Sequence, residues 1–262
     1  MNPEDIPKTT ITTPFGLFEF TCMTFGMRNA GNTFQRLIDH VLLGLPFTFP
    51  YLDDIFICSK NEEEHQSHLT AVLQRLQSAG LAANADKREF VKPELDFLGH
   101  CVSAAGIEPL PKRVQAITGL PAPTSEKELQ NFLGVMNFYH RFLPAAANTH
   151  RPLTEALRGG PRPNTPLECT ESMQSAFLAA KNALNAATCL AFPRRQAELA
   201  LMVDASADHV GAVLQQRVTP MAAWEPQGFF SKKLDPAQTR YLAYDRELLA
   251  CMSVIRHFHY ML

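Results

Sequence analysis

The sequence predicts an α+β fold, and three features support this class. Short apolar runs rich in aromatic and β-branched residues, typical of strands, occur in the first and last thirds of the chain. Longer stretches with apolar residues at helical spacing lie between and after them. Clusters of glycine and proline mark the turns that separate these segments.

The composition is that of a globular protein rather than a membrane or secreted one. The chain has 262 residues, of which 46% are hydrophobic and 19% charged. It contains no run of about 18 apolar residues and no signal-peptide apolar region at its start. The six cysteines show no paired spacing and are interpreted as reduced thiols. We therefore expect a protein of the cytoplasm or nucleus.

The net charge of −2 argues mildly against a strongly basic, non-specific nucleic-acid binder. It leaves room for a local basic groove, which a total charge does not reveal.

The first hundred residues predict short strands and two helices. Turn signals at 13–16 precede a short strand. An apolar stripe then predicts a helix that ends near residues 44–46. A second helix is predicted from a capping box at Ser59 and Glu62 to Gly80. His65 and His68 are interpreted as belonging to its solvated face.

Asp53 and Asp54 are adjacent carboxylates between two short apolar runs. We expect both runs to be buried strands, with the two aspartates at the turn of a hairpin. Like charges repel and an unpaired buried charge is costly, so a divalent cation such as Mg²⁺ would stabilise the pair. On these residues alone, a simple Asp-Asp bend is the alternative.

The middle of the chain predicts a small helical module. Prolines indicate a boundary near residues 104–112, Ser125 and Glu128 form a second capping box, and residues 158–164 are typical of a linker. Two helices are predicted from buried stripes, which comprise Leu129, Phe132, Leu133 and Met136 in the first and Met173, Phe177, Ala180 and Leu184 in the second.

The last third predicts strands followed by a helix. The first strand ends at Asp204, a second follows a turn, and residues 229–231 are a third candidate. The helix carries an apolar stripe of Tyr241, Tyr244, Leu248, Cys251 and Ile255. Glu247 lies on the flank of that stripe. It is either a solvated rim residue or a metal ligand that faces Asp204.

Several motifs occur in the order and spacing of one known family. They are FGLFEF (15–20), FGMRNA (25–30), TFQR (33–36), YLDD (51–54) and FLGH (97–100). The set resembles the reverse transcriptase of gypsy-like LTR retrotransposons. LQxFLG with NFYxRF (129–142) is similar to the family's thumb and connection region. VDAS (203–206), GAVL (211–214) and YDRELLA (244–250) are similar to the start of its ribonuclease H domain.

The resemblance implies a more specific architecture within the α+β class. Residues 1–103 would be the end of the fingers and a partial palm, and residues 104–190 the helical thumb and connection. Residues 191–262 would be the N-terminal half of a ribonuclease H-like α/β domain.

The resemblance also implies catalytic roles for four acids. Asp53 and Asp54 would be palm carboxylates that bind two Mg²⁺ ions, with Mn²⁺ as a substitute, for in-line nucleotidyl transfer. Asp204 and Glu247 would be the first two acids of a second two-metal site, which cuts RNA paired to DNA.

Further positions match substrate-binding motifs of the family. Tyr51 would lie near the primer end, and Phe25 and Gly26 would cover the incoming nucleotide and template. Gln35 is a further expected substrate contact, and Phe97, Leu98 and Gly99 match the primer-grip turn. The implied partners are an RNA template, a DNA primer, the RNA–DNA hybrid and deoxynucleoside triphosphates.

The family's third palm carboxylate would precede residue 1, and two more nuclease acids would follow residue 262. We therefore expect this chain by itself to be catalytically incomplete. The alternative is a non-catalytic module from the same element that binds nucleic acid or protein. A weaker hypothesis is a product that does not fold alone.

Overall fold

The computed structural model describes residues 1–24, 26–84, 86–157 and 166–262. Phe25 and the linker predicted at 158–164 lie outside the described residues. The chain divides into two compact units, Met1–Lys92 and Pro93–Leu262. None of the described helices combines the length and the apolar character that crossing a membrane requires.

The first unit consists of short antiparallel hairpins and two helices. After a 3-10 helix at Pro3–Thr9, its elements are β1 (Ile11–Thr13), β2 (Gly16–Phe18), α1 (Ala30–Val41), β3 (Thr48–Tyr51), β4 (Asp54–Ile57) and α2 (Glu62–Ser78). β1 pairs with β2, and β3 pairs with β4. The core of the unit is formed by Ile38 and Leu42 with Val72 and Leu76.

The expectation that β3 and β4 are buried strands is wrong. Phe49 is 54% exposed and Tyr51 52%, and neither strand contains a fully buried side chain among the residues described. Half-buried and exposed residues alternate along β3. This period of two shows that only one face of the ribbon is covered, which leaves the other face to solvent.

The start of α2 is displaced from the predicted capping box. Asn61 is the N-cap, and its side-chain oxygen accepts a 2.8 Å hydrogen bond from the Glu64 N–H. The Glu64 carboxylate accepts one of 2.7 Å from the Lys60 N–H. The capping box is therefore formed by Asn61 and Glu64. The Asn61 side chain bonds a backbone N–H within the first turn, and the Glu64 side chain bonds a backbone N–H just before it.

The predicted cap residue, Ser59, instead lies between two histidines. Its hydroxyl is 3.2 Å from Nδ1 of His65 and 2.9 Å from Nδ1 of His68. His68 also stacks on Phe47, with ring centroids 3.5 Å apart. Both histidines are half-buried, so the interpretation of a solvated face is wrong.

The second unit combines a small sheet, a helical region and a larger sheet. Its elements are β5 (Glu94–Phe97), β6 (His100–Ser103), β7 (Ile107–Pro109), α3 (Pro111–Thr118), α4 (Glu126–Phe138), α5 (Ala146–Thr149), α6 (Arg151–Ala156), α7 (Glu171–Asn185), β8 (Glu198–Ala205), β9 (His209–Arg217), β10 (Glu225–Lys233) and α8 (Ala243–Phe258). Both sheets are antiparallel, in the orders β5-β6-β7 and β10-β9-β8.

The helical region has the core that the sequence predicts. The buried cluster includes Leu129, Phe132 and Met136 of α4 and Met173, Phe177, Ala180 and Leu184 of α7. Leu133 packs against it from a partly buried position. Ser125 caps α4 by accepting a 3.3 Å hydrogen bond from the Glu128 N–H, so this cap is confirmed.

The larger sheet is covered on both faces by elements of its own unit. Phe229 packs against the helical core, and the Ser231 hydroxyl accepts a 3.0 Å hydrogen bond from the Ala147 N–H. Lys233 donates to Glu155 at 2.7 Å. Phe230, between them in sequence, packs with α8. Alternate residues of β10 therefore serve opposite faces.

The apolar stripe predicted for α8 does not form its core face. Tyr244 is 77% exposed and Leu248 54%. The buried residues are instead Ala250, Val254 and Phe258. Gly228 on β10 makes room for Phe258, because a Cβ atom there would lie 3.2 Å from the phenylalanine ring.

Candidate functional site

The turn that carries the two aspartates is a two-residue hairpin loop. Tyr51 pairs with Asp54, which leaves Leu52 and Asp53 to make the turn. Leu52 has a φ of 49°, in the left-handed region that a leucine rarely adopts. A positive φ at the first loop position suits the twist of a two-residue hairpin. Asp53 thus lies in a strained turn, whereas Asp54 is the first residue of β4, and both are exposed.

Gln35 of α1 holds this turn in place. Its side-chain oxygen accepts a 2.7 Å hydrogen bond from the Leu52 N–H. Its amide nitrogen donates to the Pro50 carbonyl at 3.1 Å and to an Asp39 carboxylate oxygen at 2.8 Å. Both donors and the acceptor of the amide are engaged within the protein. The structure therefore makes Gln35 a positioning residue, a role without a signal in the sequence.

The chemistry of Asp53 and Asp54 fits a magnesium site in part. Carboxylate oxygens are preferred ligands of Mg²⁺, which takes one or two of them and completes its shell with water and substrate phosphates. Among the residues described, no three His, Cys, Asp or Glu side chains converge in a way that could hold a metal ion. The pair can therefore supply two ligands but not a closed protein cage.

A second turn repeats the construction of the first. Phe97 pairs with His100, which leaves Leu98 with a φ of 49° and Gly99 with a φ of 82°. The Tyr139 hydroxyl donates a 3.1 Å hydrogen bond to the Gly99 carbonyl. Burial raises the pKa of Tyr139, so its hydroxyl stays protonated as a donor.

Gly99 also has a steric reason to be glycine. A Cβ atom there would meet the Arg113 guanidinium at 3.1 Å and the Phe138 ring at 3.4 Å. The turn is therefore held from one side by α3 and α4. The sequence did not indicate Tyr139, Arg113 or Phe138 as supports of this turn.

The two acids predicted for a nuclease site lie on neighbouring elements. Asp204 is near the end of β8, paired with Gly211, and Glu247 is in the second turn of α8. Both are exposed. α8 packs against β8 through Val203 and Ala205, which share a core with Ala250 and Val254. Asp204 lies between these two strand residues, so its side chain leaves the opposite face of β8, and the structure does not bring the two acids together. Gly26 has a φ of 84°, which favours glycine there.

Comparison with known proteins accounts for most of the chain. Residues 1–102 match the family described as reverse transcriptase (RNA-dependent DNA polymerase). Residues 169–262 match the RNase H-like domain found in reverse transcriptase. The chain therefore joins a segment that matches reverse transcriptases to one that matches the RNase H-like domain found in them.

The chain is similar to Pol polyproteins of transposons. It is 37% identical to the Pol polyprotein of transposon 297 from Drosophila melanogaster, over 100% of this chain and 24% of that one. It is 35% identical to that of transposon opus, over 95% of this chain and 26% of the polyprotein. The Tf2-3 polyprotein of Schizosaccharomyces pombe is 32% identical, over 98% of this chain and 19% of that polyprotein. The chain thus spans about a quarter or less of these relatives, and the resemblance to gypsy-like elements is confirmed.

The fold has counterparts among solved structures. The foamy viral protease-reverse transcriptase in complex with RNA/DNA hybrid matches with a TM-score of 0.87 and 20% identity, over 99% of this chain and 34% of that one. The same protein in complex with double-stranded DNA matches with a TM-score of 0.86 and 20% identity, over 100% of this chain and 54% of that one. The α+β fold of a reverse transcriptase with an RNase H-like part is thereby confirmed.

Proposed function

We propose that this chain is the part of a transposon Pol polyprotein that performs RNA-directed DNA synthesis and cuts the RNA strand of the hybrid product. The observation that carries the proposal is the Asp53-Asp54 pair. It lies at a strained turn, braced by Gln35, within the segment that matches reverse transcriptases.

The proposed organisation has three parts, at residues 1–103, 104–190 and 191–262. The ranges of the two family matches, 1–102 and 169–262, support the first and last parts. The partners are an RNA template, a DNA primer, their hybrid and deoxynucleoside triphosphates. The foamy viral protease-reverse transcriptase, which has a similar fold, was solved with double-stranded DNA and with RNA/DNA hybrid, which supports a nucleic-acid duplex as partner.

In the proposed mechanism, Asp53 and Asp54 would hold the Mg²⁺ ions. When bound, such ions activate the primer 3′-hydroxyl and stabilise the charge of in-line phosphoryl transfer. The protein's own contribution is orientation. Gln35 holds the backbone on either side of Tyr51, so the carboxylates are presented without reorganisation of the turn.

The substrate contacts are proposed around the two turns. Tyr51, half-exposed beside the aspartates, would contact the primer end. Phe97, Leu98 and Gly99 would contact the primer strand, and the Tyr139 hydrogen bond keeps that turn closed. Phe25 and Gly26 would cover the nucleotide and template.

The proposed nuclease uses Asp204 and Glu247 as its first two acids. Asp204 and Glu247 would each supply a carboxylate ligand to Mg²⁺, and the chemistry that the bound ion would supply is activation of water for hydrolysis. This half of the proposal rests on the match of residues 169–262 to the RNase H-like domain.

The test is primer extension on an RNA template with Mg²⁺, by a Pol polyprotein that carries this chain. We expect Asp53→Asn and Asp54→Asn each to lower the extension rate by at least about 10³-fold, because metal binding contributes several kcal/mol. Asp39→Asn is the matched control, since Asp39 is exposed and contacts only Gln35 among the described contacts. Full activity of Asp53→Asn would refute the proposal. Hybrid binding without synthesis by the unaltered polyprotein would favour the non-catalytic module.

A further inference from the structure

A groove of about 320 Å³ lies between β10 and the C-terminal half of α8. Phe230 and Leu249 line it and are half-buried. Lys232 from β10, with Arg256 and His257 from α8, line it and are exposed. The groove thus combines apolar walls with side chains that can carry positive charge.

The two permanent cations of the groove are not neutralised within the protein. Among the described residues, neither Lys232 nor Arg256 has an ion-pair partner, and the groove has no acidic lining residue. The neighbouring Lys233, on the other face of β10, binds Glu155 at 2.7 Å. Arg217 of the same sheet binds Glu198 at 2.8 Å. Unlike these two cations, Lys232 and Arg256 are available to a ligand.

Arg141 is a third cation near the groove, because its charge acts on His257, one of the lining residues. Burial, and then the charge of Arg141, lowers the pKa of His257. The His257 ring also lies 4.7 Å from that of Phe230, centroid to centroid. Because the whole chain has a net charge of −2, its attraction for an anion must come from such a local concentration of cations.

The groove is separate from the acids proposed for the nuclease site. Arg256 follows Glu247 by nine residues, which is about two and a half turns of a helix. The two side chains therefore leave opposite faces of α8. Occupation of the groove would not compete with metal binding at Glu247.

We propose that this groove binds a phosphate group in the backbone of a nucleic-acid strand. A guanidinium binds phosphate oxygens through paired hydrogen bonds, and an ammonium adds a point charge. The apolar walls at Phe230 and Leu249 suit the sugar or base attached to that phosphate. The inference rests on the proposed function for the presence of a nucleic-acid partner, and it adds a contact away from both proposed catalytic sites.

The test measures binding of a fluorescently labelled RNA–DNA hybrid to the 262-residue chain by anisotropy, from about 50 to 200 mM salt. The variant is Lys232→Gln with Arg256→Gln. The matched control is Arg195→Gln with Arg240→Gln, which removes the same charge from exposed residues outside the groove. We expect the groove variant to raise Kd about tenfold and to reduce the slope of log K against log salt by about 1 to 2. The control should change Kd by less than about twofold.

Equal Kd and equal salt slope in the two double variants would refute phosphate binding in the groove. If the unaltered chain binds the hybrid, the proposed function would still stand. Absence of hybrid binding by the unaltered chain would contradict both. A free phosphate is the remaining ligand of the same chemistry. Millimolar inorganic phosphate could change the environment of His257 while the two double variants bind the hybrid with equal Kd. That result would assign the groove to a free anion and overturn the proposal. Equal melting temperatures of all variants establish that none is unfolded.

Discussion

The side-chain oxygen of Gln35 accepts a 2.7 Å hydrogen bond from the backbone N–H of Leu52, the first residue of the turn that carries Asp53. The contact joins a helix to a hairpin 17 residues further along the chain. It fixes the one backbone position of this turn that has a positive φ. The strained conformation therefore has an identifiable support.

Replacement of Gln35 by leucine should loosen the aspartate turn. It removes two hydrogen bonds to the turn backbone, each worth about 1 kcal/mol. We expect kcat for primer extension by the polyprotein to fall at least about tenfold, with KM for the nucleotide little changed. Asp39→Ala is the control, because it removes only the third contact of the amide. A rise in KM at constant kcat would instead support the direct substrate contact expected from the sequence.

Gly99→Ala should destabilise the second unit. The residue has a φ of 82°, and the new Cβ atom would approach Arg113 and Phe138. We expect a loss of about 1–2 kcal/mol in the free energy of unfolding, measured in urea. Gly134→Ala, within α4 with open space around it, should instead gain up to about 1 kcal/mol. Equal effects of the two substitutions would contradict the steric argument.

Leu98→Asn should relieve strain at the second turn. Leu98 has a φ of 49°, and asparagine tolerates the left-handed region better than leucine. We expect a gain of about 0.5–1 kcal/mol in urea unfolding, because the leucine is exposed and contributes little burial. If the strained turn contacts primer, the same variant should extend primers more slowly. A loss of stability would show that the leucine side chain itself holds the turn.

Stability should decrease as the pH falls below about 6.5, because of His150. Burial, and then the charge of His140, lowers the pKa of His150 from 6.5 to about 4. The unfolded chain thus takes up a proton near pH 6.5 that the folded chain takes up only near pH 4. The stability present at neutral pH is therefore lost progressively between these values, by up to about 3 kcal/mol.

Urea unfolding at about pH 7 and pH 5 measures this loss, and His150→Gln should reduce it. His259→Gln is the control, since His259 is exposed. The same pH dependence in His150→Gln as in the unaltered chain would refute the assignment.

Local patterns predicted the elements whose packing follows from their own periodicity. The stripes of α4 and α7 became the core of the helical region, and Ser125 caps α4. These outcomes depend on residues three or four apart, which lie on the same face of any helix. The resemblance to the family was also evident from the sequence. Motifs in a fixed order reflect common descent, and they are recognised without knowing how the elements pack.

Only the tertiary structure decided which surface of each element is covered. α8 has two apolar stripes, and the one with Ala250 and Val254 faces the sheet, where Gly228 leaves space for Phe258. Gln35 meets Leu52 because α1 packs beside β3, a contact between residues distant in sequence. The residue types at 53, 54, 204 and 247 are thus properties of the sequence itself. The bracing of the turns and the unpaired cations at Lys232 and Arg256 arise only when separate segments are brought together.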